Sequence, residues 1–218
     1  MQAHTLGALI TLAALGALLY SEVRSLPWLR WASKPIASTG FMVVALSAGW
    51  PRDSFGIAMT AALGLCLVGD VLLIPARREI FMAGIGAFLL GHLAYGAAFL
   101  ARGVEIHWAL VALVPLAVVA WLVRRWLGPH VPARMAIPVQ AYIVVITAMV
   151  ALASGTLGRR PDGEGLAIAV AAAAFFTSDL AVARHRFVKT HYTNRLWGLP
   201  LYYGAQLVLA GLVSKAWM

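Results

Sequence analysis

The chain is poor in charge. Aspartate, glutamate, lysine and arginine make up 11% of its 218 residues, where a water-soluble domain carries about 25%. So few charges cannot clothe a water-facing surface, which excludes an ordinary soluble globular protein. Cysteine is nearly absent. Cys66 stands alone inside an apolar run, so no disulfide framework or cysteine metal site is available, and the redox compartment stays open. Acidic residues are scarce, 8 against 17 basic ones, for a net charge of +9. The basic residues are scattered between apolar segments and form no long tract or aromatic-interleaved surface, which excludes a nucleic-acid partner. No internal repeat, low-complexity tract, nucleotide motif or long linker occurs, so the length fits one domain spanning 1–218.

What is present is apolar length. Hydrophobic residues make up 62% of the chain, and a bilayer span needs about 20 of them in a row. Runs between charged or Pro/Gly breaks fall at roughly 4–20, 34–50, 54–74, 80–101, 106–123, 134–154, 164–183 and 197–216. The expected fold is therefore all-α, a polytopic integral membrane bundle of eight transmembrane helices. The first run opens Met1-Gln2-Ala3-His4, without a basic leader or a small-residue cleavage site; it reads as a retained helix, not a signal peptide. Twelve of the 17 basic residues fall after runs 1, 3, 5 and 7, leaving Arg52, Arg102, Arg159, Arg160 and Lys215 on the other side. By the positive-inside rule both termini lie on the non-cytoplasmic side. The Ala/Gly/Arg-rich composition points to a bacterial inner membrane; a eukaryotic source would point to the endoplasmic reticulum.

Of the eight acidic residues, six (Glu22, Asp53, Glu79, Glu105, Asp162 and Glu164) fall in loops or at helix ends. Asp70 and Asp179 lie within apolar runs. A central intramembrane carboxylate costs about 2.5–3.5 kcal/mol on insertion scales and usually faces the bundle interior. Both sit near the cytoplasmic ends of runs that cross in the same direction, so their matched depth allows one shared pocket. Lys34 and Ser38 reach that level from run 2, on one face at i, i+4. Tyr202, Tyr203 and Gln206 reach it from run 8, and Glu22 closes run 1 nearby. Run 4 offers a deeper stripe of Phe88, His92, Tyr95 and Phe99. Together they outline a pocket with a polar mouth and an aromatic floor, suited to an amphiphile. Arg184, His185, Arg186 and His191 have no metal-ligand spacing, so no metal site is expected. Gly84 and Gly91, seven apart, suggest a close-packing helix face. On residues alone, the two aspartates fit an acid–base enzyme, a proton-coupled transporter using them as a relay, or structural bonds to neighbouring helices.

Five segments in order carry a resemblance. They are Ser33-Lys34-Pro35, Gly69-Asp70-Val71-Leu72-Leu73, the run Phe88 to Tyr95 (FLLGHLAY), Phe176-Thr177-Ser178-Asp179 and Tyr202-Tyr203-Gly204-Ala205-Gln206. With these the chain resembles the YhhN-type lysoplasmalogenases, a group that includes the vertebrate transmembrane protein 86. The resemblance implies an eight-helix membrane hydrolase that cleaves the vinyl ether bond of a lysophospholipid drawn from the bilayer. The products would be a fatty aldehyde and a glycerophospho-base, with no cofactor. It puts the paired catalytic aspartates at Asp70 and Asp179, and matches Lys34, His92, Tyr202, Tyr203 and Gln206 to further motif positions. Headgroup preference and oligomeric state are not implied.

Such hydrolysis begins with protonation of the vinyl β-carbon to an oxocarbenium ion, as glycoside hydrolysis begins with a carboxylic acid beside a carboxylate. Two carboxyls in low dielectric cannot both ionise easily, so one should hold its proton near pH 7. Which aspartate does so is left open. Lys34 is expected to bind the substrate phosphate. Tyr202, Tyr203 and Gln206 would orient the glycerol hydroxyl or the water, and Phe88, His92 and Tyr95 would line the tail channel.

Overall fold

A computed structural model describes residues 2–75 and 77–214; Lys215, counted among the non-cytoplasmic charges, and the end of the 197–216 run lie outside them. The described residues form eight α-helices: α1 (Ala3–Arg24), α2 (Pro27–Leu46), α3 (Ser54–Leu72), α4 (Arg78–Arg102), α5 (Ile106–Leu127), α6 (Ala133–Arg159), α7 (Gly163–Ala183) and α8 (Thr193–Ser214). A 3-10 turn follows α5 at Gly128–His130, and a π-helical turn follows α7 at Arg184–Val188.

Seven of these helices are long and apolar enough to cross a membrane. The chain is an integral membrane protein. The helix outside that set is α2, whose apolar content is diluted by Arg30, Ser33, Lys34, Ser38 and Thr39. It also begins earlier than the 34–50 run. Pro27 occupies its first turn, where a proline's missing N–H would have had no partner, and Pro35 is carried inside the helix instead of opening it. It stops at Leu46, with Gly49 at φ +94° before Pro51.

Two of the peripheral acids are helix caps. The Asp53 carboxylate accepts the Gly56 N–H at 2.8 Å and the Asp162 carboxylate accepts the Gly165 N–H at 2.9 Å; each satisfies an N–H that the first helical turn leaves unpaired. The Gly165 N–H holds the exposed Asp162 carboxyl below the usual carboxylate range.

Six helices close a ring in which each touches the next: α2, α3, α4, α6, α7 and α8, with α3 also reaching α8 across the middle. Outside it, α1 lies along α2 and α8, and α5 lies along α6. The outward face of α5, with Trp108, Val111, Val114 and Trp121, is exposed and apolar, the surface of a helix that faces lipid. Small residues bring α3 and α4 together. A Cβ at Gly69 would stand 2.6 Å from the Phe88 ring, and one at Gly84 would stand 2.8 Å from the Leu73 side chain. The Gly84/Gly91 face is thus the one α3 lies against.

Candidate active site

Asp70 sits in the last turns of α3, 2% exposed, and the neighbouring helices deliver donors to it in i, i+4 pairs. From α2, the Lys34 ammonium lies 3.1 Å from Asp70 Oδ1 and donates to the Asp70 backbone carbonyl at 2.9 Å. The Ser38 hydroxyl, one turn on, donates to Oδ2 at 2.6 Å. From α8, the Tyr202 hydroxyl donates to the same oxygen at 2.6 Å. Gln206 Nε2 donates to the Tyr202 oxygen at 3.1 Å, and its amide oxygen accepts the Tyr95 hydroxyl. The Tyr203 hydroxyl lies 3.3 Å from both Ser38 Oγ and the Lys34 carbonyl. The buried Asp70 carboxyl thus has both oxygens engaged, one by an ammonium and the other by two hydroxyls.

Asp179, on α7, has different company. The Tyr142 hydroxyl from α6 donates to its Oδ2 at 2.6 Å, and His92 Nε2 from α4 lies 3.3 Å from that oxygen and 2.8 Å from the tyrosine hydroxyl. His92 is 1% exposed, and its Nδ1 has no hydrogen-bond partner among the described residues. Nε2 is therefore the ring nitrogen through which His92 meets the site, and the Tyr142 hydroxyl links it to Asp179 Oδ2. No ammonium or guanidinium meets Asp179 among the described residues, and its Oδ1 makes no hydrogen bond there. Its side chain is 16% exposed.

One cavity of about 380 Å³ is lined by both aspartates. Lys34, Tyr202 and Phe88 line it too, as do Tyr142 and the apolar side chains of Val139, Ile143, Ile146 and Phe176. It runs to the end of the bundle where Arg30, His185 and Arg195 stand, the end carrying the basic connections.

Of the ten residues singled out in the sequence, Lys34, Asp70, Phe88, Asp179 and Tyr202 line the cavity; Ser38, His92, Tyr203 and Gln206 stand behind its wall and bond to those that do, and Tyr95 bonds to Gln206. The placement of Phe88, His92, Tyr95 and Lys34 bears on two of these expectations. The tail channel was assigned to Phe88, His92 and Tyr95, but only Phe88 faces the cavity. His92 turns to Asp179, and Tyr95, fully buried, stacks on Phe99 at 6.2 Å. The apolar wall combines Phe81, Ile85 and Phe88 of α4 with Val139, Ile143 and Ile146 of α6 and Phe176 of α7. Lys34, expected to take the phosphate, lines the cavity with its ammonium on Asp70.

Three residues escaped the sequence reading. Tyr142 is the lone tyrosine of the 134–154 run, and a phenol in an apolar helix asks for a partner; that was the available signal. Arg30 and Arg195 were taken as topology charges only. Among the described residues, no three His, Cys, Asp or Glu side chains converge as metal ligands.

Comparison with known proteins places these residues in a family setting. The model of the YhhN family matches residues 29–213. A protein of Mycobacterium bovis named lysoplasmalogenase is 32% identical over 202 residues, covering 90% of this chain and 74% of its own length. The rat protein named lysoplasmalogenase TMEM86B is 31% identical over 169 residues, covering 77% of this chain and 66% of its own. An uncharacterized membrane protein YhhN of Escherichia coli O157:H7 is 29% identical over 188 residues, covering 80% of each chain. No solved structure matches.

Proposed function

The chain belongs to the YhhN family, and from that premise we propose that it is a membrane hydrolase that cleaves the vinyl ether bond of lysoplasmalogens, using Asp179 as the proton donor and Asp70 as the fixed carboxylate. The observation that carries this reading is the unequal company of two carboxyls in one cavity. Asp70 has both oxygens claimed by an ammonium and two hydroxyls, whereas Asp179 has one oxygen left for a ligand.

The reaction follows from that inequality. Asp179 gives its proton from Oδ1 to the β-carbon of the vinyl ether; the O–H bond breaks, a C–H bond forms, and the π electrons leave an oxocarbenium ion at the adjacent carbon. Asp70, held in the same cavity by Lys34, Ser38 and Tyr202, stabilises that positive charge. Water adds to the cationic carbon and surrenders a proton to Asp179, restoring the acid. The hemiacetal then collapses: the C–O bond to glycerol breaks, the proton of the hemiacetal hydroxyl passes to the glycerol oxygen, and the fatty aldehyde leaves. His92 and Tyr142 hold Asp179 Oδ2 so that Oδ1 faces the substrate. Tyr95 and Gln206 orient Tyr202 toward Asp70. The apolar wall of Val139, Ile143, Ile146 and Phe176 takes the tail.

We further read α2 as the eighth crossing, the whole chain as one domain, and the basic end as cytoplasmic, with both termini opposite. The test of the chemistry is release of fatty aldehyde from lysoplasmenylethanolamine by purified protein. Asp70→Asn and Asp179→Asn should each extract as a monodisperse species and lose the activity. Near-normal turnover by either would overturn the paired-carboxylate mechanism.

A further inference from the structure

Glu22 is the buried acid the mechanism does not use. It ends α1 with its side chain 4% exposed, and it holds two arginines from different helices. Arg30 of α2 donates from Nη2 to Oε2 at 3.0 Å, and its Nε stands 2.7 Å from Oε1 as a charge contact. Arg195 of α8 approaches from the other side, Nε to Oε2 at 3.2 Å. Both guanidiniums line the cavity and Glu22 does not. The carboxylate therefore anchors two planar cations that line the cavity, Arg195 with its Nη2 also 3.4 Å from His185 Nε2. Two positive charges against one negative leave this three-residue cluster with an excess of +1, Arg186 adds a further cation to the cavity lining, and the Lys34–Asp70 pair beside it is neutral. A guanidinium fork matches the tetrahedral oxygens of a phosphate, and a partner held rigidly from behind loses little freedom on binding.

Position adds a second constraint. Arg30 precedes Lys34 by four residues on α2, one helical turn or about 6 Å toward the end of the bundle. An anion seated on the arginines therefore stands about one glycerol unit from the ether oxygen that must reach Asp70.

We propose that Arg30 and Arg195, held by Glu22, form a subsite for the phosphodiester headgroup of the single-chain lipid. The assignment rests on the hydrolase reading for the choice of lipid. The phosphate enters last and stays at the mouth, the tail lies against α6 and α7, and the scissile bond is held between them. Glu22 is a positioning residue that never touches the ligand.

The test uses full-length protein and two ligands that cannot be hydrolysed: a 1-O-alkyl lysophosphatidylethanolamine with a saturated ether, and the matching 1-O-alkylglycerol, which lacks the phosphate. The unmodified protein should bind the phospholipid at least about tenfold more tightly. Arg30→Gln and Arg195→Gln should each weaken phospholipid binding about ten- to a hundredfold and leave the alkylglycerol unchanged. Removing both arginines would strand the Glu22 carboxylate, so the double change is made together with Glu22→Gln, and it should abolish the preference. Equal affinity for the two ligands in the unmodified protein, or equal weakening of both in the variants, would overturn the proposal. So would displacement of the phospholipid by inorganic phosphate at equal concentration, which would mark a free-phosphate site. Aldehyde release is not read here: failure of the hydrolase reading leaves the binding preference standing, and loss of the preference leaves hydrolysis standing.

Discussion

Replacing Lys34 by methionine removes an ammonium and keeps the length of the stem. The consequence follows from what Asp70 then has left. Its Oδ2 keeps Ser38 and Tyr202, but Oδ1 and the backbone carbonyl lose their donor. Both members of the pair are shielded, with side chains 7% and 3% exposed, so bulk water cannot replace the missing charge. Breaking a buried ion pair by removing one partner costs about 3–5 kcal/mol, because the other charge is left uncompensated. Asp70→Asn should cost a similar amount by stranding the ammonium. The double change removes both charges, and the asparagine oxygen still accepts from Ser38 and Tyr202. It should therefore cost less than either single change, under about 2 kcal/mol. Equilibrium unfolding in mixed SDS and dodecylmaltoside micelles measures all three. Single variants within about 1 kcal/mol of the unmodified protein, or a double variant as damaged as the sum of the singles, would refute the claim that Lys34 and Asp70 form a compensated buried pair. Activity should be lost in all three, so stability and turnover separate in the double variant.

Tyr142→Phe keeps the ring against His92, whose centroid is 5.1 Å away, but deletes the hydroxyl on Asp179; turnover should fall about 10²-fold with KM little changed, by analogy with the loss of one positioned donor, and unchanged turnover would remove Tyr142 from the site. Gly69→Ala puts a Cβ 2.6 Å from the Phe88 ring and should destabilise by about 1–3 kcal/mol through overpacking, read in the same unfolding assay. A reporter fused after the C-terminus should read as non-cytoplasmic; a cytoplasmic signal would invert the topology and with it the side from which substrate enters.

Much of the fold was legible because membrane spans are a local property. Length and apolarity of one run suffice to place a helix: each of the eight runs overlaps one, and seven of those helices are apolar enough to cross a membrane. The start of α2 was not legible, since Pro35 after Lys34 resembles an opening signal and a proline carried inside a helix looks the same in sequence. Asp70 and Asp179 stood out because a carboxylate in an apolar run is anomalous without reference to any neighbour. Partnerships were harder. That Lys34 meets Asp70 depends on how α2 packs on α3. That Tyr142 reaches Asp179 depends on α6 closing the ring between α4 and α7, an order that connection lengths do not specify. Arg30 and Arg195 show the same difficulty: a basic residue beside a span serves topology in any case, and only the buried Glu22 between them reveals a further role.

The destination of the first proton decides between hydrolysis at Asp179 and any other chemistry. Lysoplasmenylethanolamine is hydrolysed by the purified protein in D2O, the aldehyde is trapped at once by reduction, and its mass is read. Proton donation from a solvent-exchanged Asp179 predicts a full-length aldehyde with one deuterium on the carbon next to the carbonyl, none from the ester-linked lysolipid, and no product from Asp179→Asn. A full-length aldehyde without that deuterium, or transport of the lipid across proteoliposomes with no aldehyde formed, would contradict it.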